Sequence, residues 1–125
     1  MATESDHIKL ANRCHVTLKY LLADVDNHPE WAVTVAFYKA VHIVEAVFAH
    51  EKGWHSNSHS WRLDVLKEQL NYKPIFKPFR TLYSLSRTAR YLEDSSGSGS
   101  YSSFADRMPS QKIQEKVVNG LLRAC

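Results

Sequence analysis

Apolar positions along this chain recur with helical spacing, and one stretch is apolar almost all the way round. It opens with Pro29 and Trp31, runs as AVTVAFYKAVHIVEAVFAHEK, and stops at Gly53. A helix without a polar face belongs at the centre of a helical assembly. Proline near the first position and glycine just past the last are the usual start and stop of a helix. Ala32, Ala36 and Ala40 recur every four residues, which lets a neighbouring helix come close. Val33, Phe37, Val41, Val44 and Phe48 fill the other directions.

The remaining pattern predicts four more helices and no strands, since nothing alternates with period two. The first spans about residues 5–23, capped by Ser5 or Thr3, with Ile8, Ala11, Val16, Leu18, Leu21 and Leu22 as its apolar stripe. The third covers about 58–70 and carries Trp61, Val65, Leu66 and Leu70. Pro74 and Pro78 predict a break. A fourth helix then runs over about 76–93, with Phe79, Leu82, Leu85, Ala89 and Leu92 on one side and Arg80, Ser84, Arg87 and Tyr91 on the other. Residues 95–103, SSGSGSYSS, read as a flexible Ser/Gly-rich loop extending to about 108, natural or spliced in. A last helix is expected over 109–124. The expected architecture is one all-α domain over 1–125, an antiparallel bundle of four to five helices.

Composition refines this picture only in places. Two cysteines, Cys14 and Cys125, fit a reducing compartment, and MATESDHIKL is too polar for a signal peptide. Glu30, Lys39, His42 and Glu45 interrupt the apolar helix, so it reads as a core helix rather than a membrane span, and a cytoplasmic protein is expected. The charge is uneven: residues 1–51 carry a net −3 and residues 52–94 a net +4. The two regions can pair with each other, within a chain or across a dimer, or the basic one can attract phosphate.

Three pieces of sequence carry a resemblance. VAFYKAVHIVEAVFAHEKG is followed by Ser58-His59-Ser60 and then by the arginine-bearing LYSLSRTARY. In this order they resemble the HEPN superfamily of small α-helical domains. The resemblance covers about half the chain and implies a four- or five-helix bundle that pairs as a homodimer. Many members are metal-independent ribonucleases of toxin–antitoxin, anti-phage and CRISPR systems, or stand beside nucleotidyltransferases. Their signature is an arginine followed by a histidine some four to six residues on. This chain departs from it: Arg87 is followed by TARYLED, and no other arginine has a histidine at that distance.

RNA cleavage without metal needs a base for the 2′-OH, an acid for the leaving oxygen and a cation for the phosphorane. Histidine suits the first two and arginine the third. Within the HEPN-like bundle, Arg87 and Arg90 are expected to hold phosphate, with His59 or His42 moving protons. Arg62, Lys77, Arg80, Arg87 and Tyr91 are the candidate nucleic-acid contacts. The basic stretch 67–90 also interleaves Tyr72, Phe76, Phe79 and Tyr83, a mixture used for single-stranded nucleic acid. Alternatively His42 is a core histidine, His59 caps the third helix, the aromatics are core and the arginines form a solvated face. His55 and His59, four apart and near His50, suggest a metal only if that segment is helical, and no Cys pair or HExxH completes it. No metal and no cofactor are therefore expected. Two functions stand side by side: an RNA-directed module of a toxin–antitoxin or defence system, with an antitoxin or nucleotidyltransferase partner and no membrane, or a non-catalytic helical dimerisation and protein-interaction module.

Overall fold

The first helix, α1, covers Glu4–Leu22 and starts on a reciprocal cap. The Thr3 hydroxyl accepts from the Asp6 amide at 3.2 Å, and the Asp6 carboxylate accepts from the Thr3 amide at 2.9 Å. The computed structural model describes residues 2–91, the side chain of Tyr91 excepted. The loop expected over 95–108, the helix expected over 109–124, Leu92 and Cys125 lie outside the described residues.

A short 3-10 turn, Val25–Asn27, leads into α2, Pro29–Lys52. Gly53 ends α2 at φ 68°, a conformation that glycine enters without a Cβ penalty. Ser58 caps α3, His59–Glu68, by accepting from the Trp61 amide at 3.1 Å. After a second 3-10 turn, Leu70–Tyr72, α4 covers Lys73–Tyr91. All regular structure among the described residues is helical, with no strand.

α4 begins earlier than the two prolines predict. Pro74 falls in the first turn, where no amide partner is needed. Pro78 gives up one internal hydrogen bond, and the orphaned carbonyl belongs to the exposed Pro74, where water reaches it.

α2 is the axis of the fold. Ala32, Ala36 and Ala40 along it are fully buried, as are Val33, Phe37 and Phe48. Its length and composition would suffice to cross a membrane, yet 61% of its most apolar window is buried inside the protein. α1 packs antiparallel to it, since Glu4 meets His50, His7 meets His42 and His15 meets Lys39. α4 is antiparallel to α2 as well: Phe37 touches Phe79 and Tyr83, while Phe48 touches Tyr72. α3 packs chiefly on α4 and closes the end of the core with Leu66 and Trp61.

Two details correct the sequence pattern. The inner face of α1 is His7, Ala11, Cys14 and Leu18, whereas Ile8 and Val16 are exposed. On α4, Phe79, Leu82 and Leu85 are buried as expected, but Ser86 and Thr88 are buried too. Their hydroxyls donate to the carbonyls of Tyr83 and Ser84 within the same helix, so burial leaves neither unsatisfied.

Candidate functional site

His59 is the first residue of α3, placed there by the Ser58 cap. That position sets its ring 5.6 Å from Phe37 of α2 and 5.2 Å from Tyr83 of α4, centroid to centroid. One turn on, Arg62 donates from Nη1 to His59 Nδ1 at 2.7 Å. Arg87 and Arg90 rise from the last turns of α4. Arg87 donates to the Tyr83 hydroxyl at 3.3 Å. Arg90 donates to the Tyr38 hydroxyl at 2.8 Å and to Ser86 Oγ at 3.3 Å. Both guanidinium groups lie within 6 Å of a tyrosine ring centroid. Because each also reaches the phenol oxygen, the contact is with the polar edge of the ring more than with its face.

The electrostatics of this cluster follow from its members. Burial lowers the His59 pKa below the ordinary imidazole range, and Arg62, Arg90 and Arg87 lower it further. His59 is therefore neutral near pH 7. A guanidinium can only donate, so Nδ1 is the acceptor and the ring proton sits on Nε2. As arranged, His59 offers an N–H to an incoming oxygen. Beside it, Arg87 and Arg90 supply charge in the fork geometry that suits phosphate. A cleft of about 350 Å³ adjoins Arg90, lined by Glu30, Trp31, Thr34, Tyr38 and Ala89. Trp31 is 57% exposed there, an aromatic face turned to solvent.

Arg62 has a second partner. Its Nε donates to Glu45 Oε1 at 2.8 Å, and both side chains are buried. Burial alone would raise the Glu45 pKa, but hydrogen bonds from Ser56 and Arg62 outweigh it and hold the carboxyl below its usual range. Beyond Glu45 lies a group of histidines. His7 Nδ1 faces His42 Nδ1 at 3.2 Å, and the His7 ring stacks on His55 at 5.7 Å. Burial lowers the pKa of both His7 and His42.

The fold thus brings together four residues expected from sequence, His59, Arg62, Arg87 and Arg90, on two helices packed side by side. It separates the others. His42 belongs to the histidine group on the far side of Glu45. Arg62, expected to touch nucleic acid, is 7% exposed and engaged by Glu45 and His59. Lys77 and Arg80 are exposed on earlier turns of α4, and the Tyr91 side chain lies outside the described residues. Of the interleaved aromatics, Tyr72 and Phe79 are core. The Tyr72 hydroxyl donates to Glu51, and burial with that carboxylate pushes its pKa up to about 12. His55 pairs with His7 rather than His59, and His50 turns outward to Glu4.

Sequence reasoning missed His7, Tyr38 and the role of Glu45. His7 was legible as the first member of the inner spacing His7, Ala11, Cys14, Leu18. Glu45 was legible as the carboxylate that breaks the apolar run between Val44 and Ala46. Fold and site define an all-α protein with a cationic, aromatic-lined cluster shared by α2, α3 and α4. No protein-family model matches the chain, and no curated protein or solved structure matches it.

Proposed function

We propose that this chain is an RNA-directed, HEPN-like module of a toxin–antitoxin or anti-phage defence system, acting in the cytoplasm as a homodimer with an antitoxin or nucleotidyltransferase partner. The observation that carries this reading is the convergence of neutral His59 with Arg62, Arg87 and Arg90 around Tyr83. In this reading Arg87 and Arg90 hold a phosphate and Arg62 orients His59. The Nε2–H of neutral His59 donates a hydrogen bond to a phosphate oxygen, and Trp31 offers a surface for a base. As a ribonuclease the site works without the family's usual histidine and without metal.

The test is incubation of the purified protein with total RNA and a labelled single strand in EDTA, beside Arg87→Ala. Cleavage, or binding that weakens steeply with salt, is expected for the wild type and is lost in the variant, with helicity by circular dichroism retained. An unchanged RNA phenotype in Arg87→Ala removes the assignment.

One observation favours a second reading. The His59 nitrogen that a general base would use is already taken by Arg62. A cluster that binds without proton transfer fits a non-catalytic interaction module, in which arginine and tyrosine anchor a protein interface. A tight protein complex indifferent to RNA and to salt selects it.

A further inference from the structure

Glu45 breaks the apolar face of α2 and is 2% exposed. It faces histidines from two other segments, His7 of α1 and His55 of the α2–α3 connector. One ligand-capable atom from each of His7, Glu45 and His55 lies within 4.8 Å of the others. Buried polar atoms are normally paired. Among the described residues, those left unpaired are His7 Nε2 and Ser56 Oγ. Both residues border the same carboxylate: the Ser56 amide donates to Glu45 Oε2 at 3.2 Å, and a ring nitrogen of His7 lies within 4.8 Å of a Glu45 oxygen. His7 is 95% buried by its 5% exposure, and its other nitrogen is turned to His42, which leaves Nε2 for the side where Glu45 and His55 stand.

We propose that His7, Glu45 and His55 bind a divalent transition metal of the zinc class, through His7 Nε2, a carboxylate oxygen of Glu45 and a ring nitrogen of His55. Two imidazoles and one carboxylate are a zinc donor set, with the remaining position left to water. The surroundings are those a ligand set requires. A metal-bound histidine donates its second N–H to an acceptor, and His7 Nδ1–H has His42 Nδ1 at 3.2 Å. A metal-bound carboxylate is itself held by hydrogen bonds, here from Arg62 to Oε1 and from Ser56 to Oε2. Each oxygen keeps a second lone pair, so neither bond blocks a metal. Tetrahedral zinc with bonds of about 2.0–2.1 Å needs its ligands roughly 3.3 Å apart. His55 is exposed on a connector, so it is the ligand that closes the gap. The ion would tie α1, α2 and the connector together.

The full chain, stripped with EDTA, is titrated with zinc by calorimetry and with cobalt(II) by visible spectroscopy. One equivalent of zinc and the d–d bands of four-coordinate cobalt are expected. His55→Ala leaves the core untouched and abolishes both. His42→Phe weakens zinc binding roughly 10–100-fold by removing the acceptor for His7. His15→Ala and His50→Ala, at exposed histidines, change neither. Absence of the cobalt bands in the wild type, or zinc binding by His55→Ala as tight as the wild type's, overturns the proposal. In EDTA no metal is bound, and His55 stacks on His7 rather than on the His59 cluster, so RNA cleavage in EDTA is the same in His55→Ala and wild type. Failure of either reading therefore leaves the other standing.

Discussion

Arg62 and Glu45 share one hydrogen bond at 2.8 Å in a place where water cannot replace either partner. Such a pair adds little net stability compared with apolar residues of the same size, yet breaking it is costly. Glu45→Gln leaves the Arg62 charge uncompensated, and urea unfolding should show a loss of about 3–5 kcal/mol. The double substitution Glu45→Leu with Arg62→Met removes both charges and should recover most of that loss. An equal loss in the single and double variants would mean that packing, not charge, dominates at this spot. At this scale the sequence was partly legible. A carboxylate in an all-apolar helix announces a buried partner, because its charge has to be matched. Which of the chain's arginines would match it was not legible, since Glu45 and Arg62 meet only once α3 has docked.

The helices themselves were marked by local chemistry. Pro29, Gly53 and Ser58 act through the backbone of their own turn, so the bounds of α2 and the start of α3 follow from them directly. The start of α4 did not follow. The cost of Pro78 depends on whether water reaches the carbonyl of Pro74, which is a property of the packed molecule. The phase of α1 was also misread. Its apolar residues lie on both sides, and an exposed Val16 or Ile8 breaks no rule, since burial constrains polar groups more tightly than apolar ones. The small-residue ridge of α2 was read correctly, and it carries a prediction of its own. Ala36 is fully buried, so Ala36→Leu forces side chains into a filled space. We expect a loss of about 1–3 kcal/mol, seen as a lower Tm. An unchanged Tm would mean that the space beside Ala36 yields more readily than its burial implies.

At the scale of the whole described molecule, four imidazoles titrate against the fold: His15, which Lys39 holds below its usual range, and three that burial depresses. Burial holds His7, His42 and His59 below the pKa of about 6.5 that each has in the unfolded chain. Their folded pKa values are depressed, so the unfolded state takes up more protons as the pH falls below about 6.5. Their contribution is complete above that pH and is lost as the pH falls through the folded values. Urea midpoints measured in EDTA should therefore be level just above neutrality and decline through mildly acidic pH. Glu45, also depressed, adds a further decline at lower pH, below the ordinary carboxylate range. A midpoint that rises on acidification would contradict the burial of these rings. The uneven charge visible in the sequence comes down mainly to α4, which carries Lys73, Lys77, Arg80, Arg87 and Arg90 and no acidic residue, whereas in α3 Arg62 and Lys67 are balanced by Asp64 and Glu68. The grouping of His59 with Arg87 and Arg90 was expected only through the family resemblance; spacing along the chain does not show it, because it depends on the angle at which α3 meets α4.

Among the described residues, Arg62 is the side chain common to both polar clusters, with Nε on Glu45 and Nη1 on His59. One rigid, always-charged plane therefore reports on two neighbourhoods at once. Neutralising Glu45 would redirect that plane and change the field at His59. An anion seated beside His59 would, in return, draw on the same guanidinium and alter how readily the His7 side takes up a proton or a cation. For a cation at Glu45 and an anion at His59, linkage makes the effect of each on the other's affinity equal in magnitude. With both clusters occupied as proposed, they would form a thermodynamic cycle, and occupancy of one would be read as a shifted affinity at the other.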